Sequence, residues 1–252
     1  MKLSVAIITY NEEENIARTI NAAKAVADEI IVMDSDSSDK TREISESLGA
    51  KVYLQPWLGY SEQKNLCNKK CSGEWILSLD ADEVLTEEAA EAILKAVPSG
   101  TYDGYRINRR TYYMGKLLRY SWQPDKHLRL VRKGNNPRWE GLVHEVFKID
   151  GRVGDLKGDI IHYSYKDFAG HMSKSVQFAH LAAVSYNENG KHSGGAAILF
   201  RPFFALLKRL ILKRGILDGP AGIIAALSSA YYTYMKYSFL WELERKKDGE
   251  GL

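Results

Sequence analysis

Only two cysteines, Cys67 and Cys71, occur in the 252 residues, and they lie four apart on what reads as one helix face. No second pair and no flanking histidine completes a zinc site, so both read as reduced thiols and a disulfide framework is excluded. No glycine-rich loop follows the first apolar run. The residues that do follow it, Tyr10-Asn11-Glu12-Glu13-Glu14, are the wrong chemistry for wrapping a pyrophosphate at a helix N-terminus. Dinucleotide-dependent oxidoreductases and nucleotidyltransferases are therefore not supported. A net charge of +3 is too small to argue for nucleic acid, and no recognition motif for it is present. Internal repeats and low-complexity stretches are absent as well. The N-terminal apolar run is short and acidic residues follow at once, so it does not read as a signal peptide and a cytoplasmic protein is expected. A last absence is local: no acidic residue occurs from Ala196 to Leu217.

What is present has the make-up of a globular chain, 45% hydrophobic and 27% charged, with ample length for a core. The run Trp75-Ile76-Leu77-Ser78-Leu79 reads as a buried strand that delivers Asp80-Ala81-Asp82 where it leaves the sheet. Two carboxylates two residues apart suit a hard cation, Mg²⁺ or Mn²⁺, with the other positions left to water and phosphates. An Asp-x-Asp alone equally describes a solvated turn before a helix capped by Thr86. Other strand ends break the tie. Leu3 to Thr9 is a second buried run ending in Tyr10-Asn11-Glu12, where Asn11 reads as an N-cap with three Glu in the first turn. Glu29 to Met33 ends in Asp34-Ser35-Asp36-Ser37-Ser38-Asp39, in which Asp39 reads as turn and capping chemistry. Lys51 to Leu54 is a further strand; a helix carrying Ile16, Ile20 and Ala23, one carrying Ile44 and Leu48 and closed by Gly49, and helices from Tyr60 to Lys70 and Thr86 to Val97 alternate with these strands. Such alternation implies an α/β fold with parallel strands and right-handed crossovers, and ligands of such sheets bind at the carboxyl edge. Three strands thus present polar groups at one edge.

These residues carry a resemblance. Val5 to Glu12, Ile31 to Thr41 and Leu79-Asp80-Ala81-Asp82-Glu83 resemble the inverting family 2 glycosyltransferases of the GT-A fold. Arg129-Leu130-Val131-Arg132, Trp139-Glu140-Gly141-Leu142-Val143-His144-Glu145 and the stretch Leu212 to Gly219 narrow the likeness to bacterial lipopolysaccharide core β-glucosyltransferases. The resemblance implies a Rossmann-like sheet that binds a nucleotide-sugar, over 1–97, followed by a mixed acceptor-side half, over 98–190. A basic, amphipathic, membrane-associating helical region would occupy 191–252. It also implies that Thr9, Tyr10, Glu12, Asp34 and Asp36 hold the nucleoside. Lys64 stands where members often carry an Arg, as a point charge without the bidentate fork. Asp82 would be the direct ligand of Mg²⁺ or Mn²⁺, with Asp80 nearer the ribose or a metal-bound water.

Inverting transfer needs a general base to take the proton of the acceptor hydroxyl. Glu145, Asp125 and Glu140 are the candidates. Glu145 is favoured because it follows Leu142-Val143 beside His144, and Asp125 is the runner-up or an organiser of the acceptor loop. His144 reads as a structural residue or a neighbour of the diphosphate. At most one of Arg129 and Arg132 faces the diphosphate if their strand is regular, and Trp122 and Trp139 either stack on a sugar or pack in the core. Short antiparallel strands are expected over 104–108, 112–119 and 128–132.

Beyond a long helix from about Asp167 to Asn187 and the linker at Gly190-Lys191-His192-Ser193-Gly194-Gly195, helical winding puts Phe203, Phe204, Leu206, Leu207, Leu210 and Ile211 on one arc. Arg201, Lys208, Arg209 and Lys213 fall on the other. An apolar stripe backed by cations is the pattern of a helix lying in an anionic leaflet; the alternative is docking on the catalytic part. Ile223 to Trp241 is broken by Ser228, Ser229, Thr233 and Lys236 and rich in Tyr, so it reads as peripheral. The expectation is a metal-dependent hexosyltransferase, using UDP-glucose, acting on a lipid-anchored lipopolysaccharide core at the cytoplasmic face of the inner membrane. A polyprenyl phosphate or exopolysaccharide acceptor, or a non-catalytic membrane adaptor, are the other readings.

Overall fold

A computed structural model describes residues 2–141, 145–165 and 167–247, with the backbone alone at Lys247. The chain forms two compact units, one made of residues up to Arg110 with Pro124–Tyr163, the other of Thr111–Gln123 with Ser164 onward. The expectations for Leu142, Val143 and His144 lie outside the described residues.

The first unit is built on strands β1 (Leu3–Thr9), β2 (Glu29–Asp34), β3 (Lys51–Leu54) and β4 (Trp75–Asp80). All four run parallel, in the order β3-β2-β1-β4. β1, β2 and β4 are buried on both faces, which is why their sequences are continuous apolar runs instead of alternating ones. Helices α1 (Ile16–Ala23), α2 (Thr41–Ser47) and α3 (Tyr60–Lys70) supply the crossovers. α1 buries Ile16, Thr19, Ile20 and Ala23, the spacing of a single helical face. The core under this face includes Val5, Ile7, Val32, Trp75, Leu77 and Leu79. Each fully buried Leu or Ile there contributes roughly 1.5–3 kcal/mol.

Past β4 the chain turns through Ala81 and Asp82 into a short strand, β5 (Glu83–Leu85), and then α4 (Glu87–Ser99). Thr86 caps α4 through its hydroxyl, which accepts from the Ala89 N–H at 3.3 Å. Gly100, at φ +62°, ends it. The sheet continues with strands of mixed direction: β6 (Gly104–Tyr113), its partner β7 (Lys116–Leu117), and β8 (Lys126–Arg132), which pairs antiparallel with β4. β9 (Arg138–Glu140) and β10 (Val146–Lys148) form a separate ribbon. β11 (Val153–His162) pairs antiparallel with β5 at the far end of the main sheet. β5 and β11 were not expected from the sequence. Gly158 explains part of that: at φ +81° it meets α4 so closely that a Cβ would lie 2.3 Å from the Ala89 nitrogen.

A second expectation fails at Asn11. It does not cap α1, which starts at Ile16 after Asn15 and has no acidic residue in its first turn. Asn11 instead takes φ +52°, and its side-chain oxygen accepts the Ser38 N–H at 2.8 Å. The residue ties the loop after β1 to the loop after β2.

The second unit is helical. α5 (Phe168–Glu188) begins at Asp167, whose carboxylate accepts the Gly170 N–H at 2.7 Å. α6 (Gly195–Leu207) passes into a wide π-type turn over Lys208–Leu212, and α7 (Pro220–Lys247) packs on both α5 and α6. Buried Asp218 accepts the backbone N–H groups of Arg119, Tyr120 and Ser121, so the loop of residues 118–122 is held by this unit. Among the described residues no helix is long and apolar enough to cross a membrane.

Candidate active site

The strand register places three carboxyl ends side by side: Thr9 pairs with Asp34 across β1 and β2, and Ile8 pairs with Asp80 across β1 and β4. The buried Thr9 hydroxyl has no protein partner, and Tyr10 beside it is exposed. Asp34 is fully buried and accepts both the N–H and the hydroxyl of Ser37, at 2.8 and 2.5 Å. Asp36 is exposed at φ +68°. Glu12 accepts the Asn15 side-chain amide at 2.6 Å. Asp39 lies in the turn before α2 and accepts the Thr41 N–H at 3.0 Å, while Lys40 holds the cap position. The shared polar edge expected from the sequence is therefore present.

Lys64 projects from α3 to the tip of β4. It is nearly buried, and its Nζ lies 2.9 Å from Asp80 Oδ1 and 2.9 Å from Glu145 Oε1. The other oxygen of Asp80 faces Arg129 Nη2 at 3.2 Å. Arg129, on β8, also donates to Glu83 at 2.5 Å, and Glu83 in turn accepts the Asp80 N–H at 3.0 Å. Burial alone would raise the Asp80 pKa, but the Lys64 and Arg129 cations outweigh it and hold the carboxyl well below the usual range. Glu83 is wholly buried and cation-matched, with Arg109 3.6 Å away as well. The cluster alternates charge throughout, as a buried ionic network must.

Lys64, Asp80, Arg129 and Glu145 line one cavity of about 620 Å³ together with Arg109 and Trp139. Arg129 Nε and Nη1 and Trp139 Nε1 are buried in its walls with no protein acceptor, donors for a ligand or for water. Of the two arginines on β8, Arg129 meets this cavity. Arg132 lies over the Trp75 ring, 5.2 Å from its centre. Trp139 stacks on Phe147 at 4.4 Å, which makes it a packing residue. Trp122 packs edge-on against Tyr113 in the helical unit.

Asp82 sits beside His162, the last residue of β11, with Oδ2 and Nε2 3.2 Å apart. A carboxylate oxygen and an imidazole nitrogen, both partly open to solvent, are a donor pair suited to Mn²⁺ or Mg²⁺. No group of three or more His, Cys, Asp or Glu is gathered for an ion among the described residues, so such a site would be completed by phosphate oxygens and water. Both oxygens of Asp80 are engaged by cations. Sequence reasoning missed His162 and Glu83; the only signal for Glu83 was its place directly after Asp82.

Asp125 is not in this cavity lining. It bonds Arg109 Nε at 2.9 Å and His127 Nε2 at 2.7 Å. Burial raises its pKa, and the His127 and Arg109 contacts overcome this, bringing it down to about 2. Glu140 lies on the exposed ribbon between Arg138 and Lys148.

The model of the family "Glycosyl transferase family 2" matches residues 4–148, more than half of the chain, including the tips of β1, β2 and β4. The chain belongs to glycosyl transferase family 2. As a family 2 enzyme it has similarity to a glycosyltransferase of Rickettsia typhi, 30% identical across 97% of this chain and 88% of the relative. It is similar also to the lipopolysaccharide core biosynthesis glycosyltransferase LpsC of Rhizobium meliloti, 28% identical across 96% of this chain and 93% of LpsC. Among solved structures, S. aureus TarS 1–349 in complex with UDP-GlcNAc matches 99% of this chain and 93% of that one, with a TM-score of 0.52 and 17% identity. That likeness establishes the shared GT-A fold.

Proposed function

We propose that this family 2 transferase moves a hexose, glucose from UDP-glucose, onto a sugar hydroxyl of a lipid-anchored acceptor of the lipopolysaccharide core type, with inversion. One observation carries the reading: Lys64 joins the tip of β4 to Glu145 in a cavity large enough for a sugar. The end-to-end similarity to a lipopolysaccharide core enzyme supports the acceptor class.

In this reading Thr9, Tyr10, Glu12, Asp34 and Asp36 take the nucleoside at the ends of β1 and β2. Asp82 and His162 would hold a divalent ion, which when bound neutralises charge on the diphosphate. Asp80, fixed between Lys64 and Arg129, stands nearer the ribose. Glu145 accepts the proton of the acceptor hydroxyl as that oxygen bonds the anomeric carbon, and the bond to the diphosphate breaks with its electron pair leaving on the diphosphate. Lys64 and Arg129 place fixed positive charge where negative charge builds. Asp125 orders β8 through Arg109 and His127. We assign 1–97 to the donor, 98–190 to the acceptor, and 191–252 to the surface of the inner membrane on its cytoplasmic face.

Purified protein with Mn²⁺ and a panel of nucleotide-sugars tests the donor, through release of the nucleoside diphosphate. Glucose transfer to lipopolysaccharide core and to polyprenyl phosphate, compared side by side, tests the acceptor. Preferential turnover of UDP-glucose on the core glycan is expected, and equal or greater transfer to polyprenyl phosphate would sink the assignment.

A further inference from the structure

The helical unit contains a cavity of its own, of about 390 Å³, walled by α5, the end of α6 and α7. Its chemistry differs from that of the cavity at β4. There, every Lys and Arg of the lining is ion-paired to a carboxylate of the protein. Here the cations are Lys208 and Arg209, no carboxylate lines the wall, and among the described residues neither side chain has a hydrogen bond or ion pair. The remaining wall supplies hydroxyl groups, from Ser175 and Thr233 among others, and the Trp122 ring. Two unmatched cations, hydroxyls and an aromatic surface, with no acid to repel an anion, are the recognition set for a phosphate.

The source of that phosphate follows from the segment that presents the cations. Positions 205, 208 and 209 are one helical turn apart and line the cavity. Leu199, Phe203, Phe204, Ile211 and Leu212 of the same segment are 67, 55, 63, 60 and 78% exposed. No acidic residue interrupts this stretch from Ala196 to Leu217. The wide turn at Lys208–Leu212 departs from the regular helical ladder where the cations sit, closed by the Lys213 N–H on the Lys208 carbonyl at 2.8 Å. An exposed apolar face of this extent, flanked by cations, matches the interface of an anionic leaflet.

We propose that this cavity binds the phosphate of an anionic membrane lipid through Lys208 and Arg209, while the exposed Leu199–Leu212 face enters the leaflet. The proposal rests on the membrane-surface part of the reading above and is independent of the transfer chemistry.

Co-sedimentation with phosphatidylcholine vesicles, with and without phosphatidylglycerol, tests it on the full chain. The double variant Lys208→Ala/Arg209→Ala removes the cavity cations. Lys213→Ala/Arg214→Ala removes the same charge from outside the lining, and Ala205→Phe fills the cavity without changing charge. The first and third are expected to lower partitioning onto phosphatidylglycerol vesicles at least tenfold, and the second no more than about threefold. Nucleotide-sugar hydrolysis, unchanged in all three, shows that the fold is intact. Equal losses for the two charge pairs, or full binding by Ala205→Phe, would overturn the cavity in favour of diffuse attraction. Wild-type protein that ignores both vesicles would overturn the membrane-surface reading itself. Saturable calorimetric binding of inorganic phosphate, lost with Lys208 and Arg209 while vesicle binding persists, would make this a free-anion site and overturn the lipid assignment.

Discussion

Lys64 stands between two carboxylates, 2.9 Å from Asp80 and 2.9 Å from Glu145, one at the end of β4 and the other just before β10. A single buried ammonium thereby fixes the distance between the donor edge and the candidate base. Lys64→Met leaves Glu145 without its cation and Asp80 with Arg129 alone, a loss of about 3–5 kcal/mol by the behaviour of broken buried pairs. Sugar transfer should fall by about 10²–10³-fold. Lys64→Arg restores charge without the same reach, so its denaturation midpoint should recover more than its kcat/KM. Equal recovery of both would reduce Lys64 to a structural role.

Glu145→Gln preserves shape and removes basicity. Calorimetric binding of UDP should stay as in the wild type while transfer drops by about 10²–10⁴-fold. Asp125→Asn weakens the hold on Arg109 and His127 and should act mainly through the acceptor KM. A reversed pattern, with Asp125→Asn the more damaging to kcat, would exchange the two roles.

Removing divalent ions with EDTA should stop turnover, and added Mn²⁺ should restore it. Asp82→Ala should abolish metal-dependent UDP binding, and His162→Ala should weaken it by about 10–100-fold. Undiminished Mn²⁺-dependent UDP binding in both variants would show that the ion does not sit on this pair.

In the helical unit His171 is buried, its Nδ1 is 2.6 Å from the Tyr113 hydroxyl, and burial pushes its pKa down to about 4. The folded state binds this proton less readily than the unfolded chain, whose His titrates near 6.5. Stability is thus complete above pH 6.5 and declines as the pH falls from 6.5 to 4, by on the order of 2–3 kcal/mol. Melting curves of the wild type should shift down over this window, whereas His171→Gln, lower throughout, should be flatter. Parallel profiles would exclude His171 as the titrating group.

The sequence was most readable along the parallel half of the sheet. β3 and α3 have the bounds expected from pattern alone, and the apolar runs of β1, β2 and β4 end at the polar groups that meet at the sheet edge. Asn11 misled because its conformation is set by the loop after β2, a contact that no local pattern encodes. β11 was invisible because Gly154 and Gly158 sit where Tyr102 and α4 press against the strand, which erases the alternation of apolar residues. His162 went unseen with it. The carboxylates of the site were legible because they follow an apolar run directly; their partners, on β8 and β11, come from distant parts of the chain. Of the arc expected in the tail, Phe203, Phe204 and Ile211 are open while Leu206, Leu207 and Leu210 are half-buried, and the wide turn at Lys208 was not legible.

The pairing of Glu83 with His162 across β5 and β11 sets a timetable. A ribosome releases Asp80, Asp82 and Glu83 long before it releases Arg129 or His162, so the nascent acids have neither guanidinium nor imidazole to meet. Shortened products ending before Val153 would keep the Arg129 guanidinium beside Asp80 and Glu83 but would leave β5 without its antiparallel partner β11 and Asp82 without its imidazole neighbour.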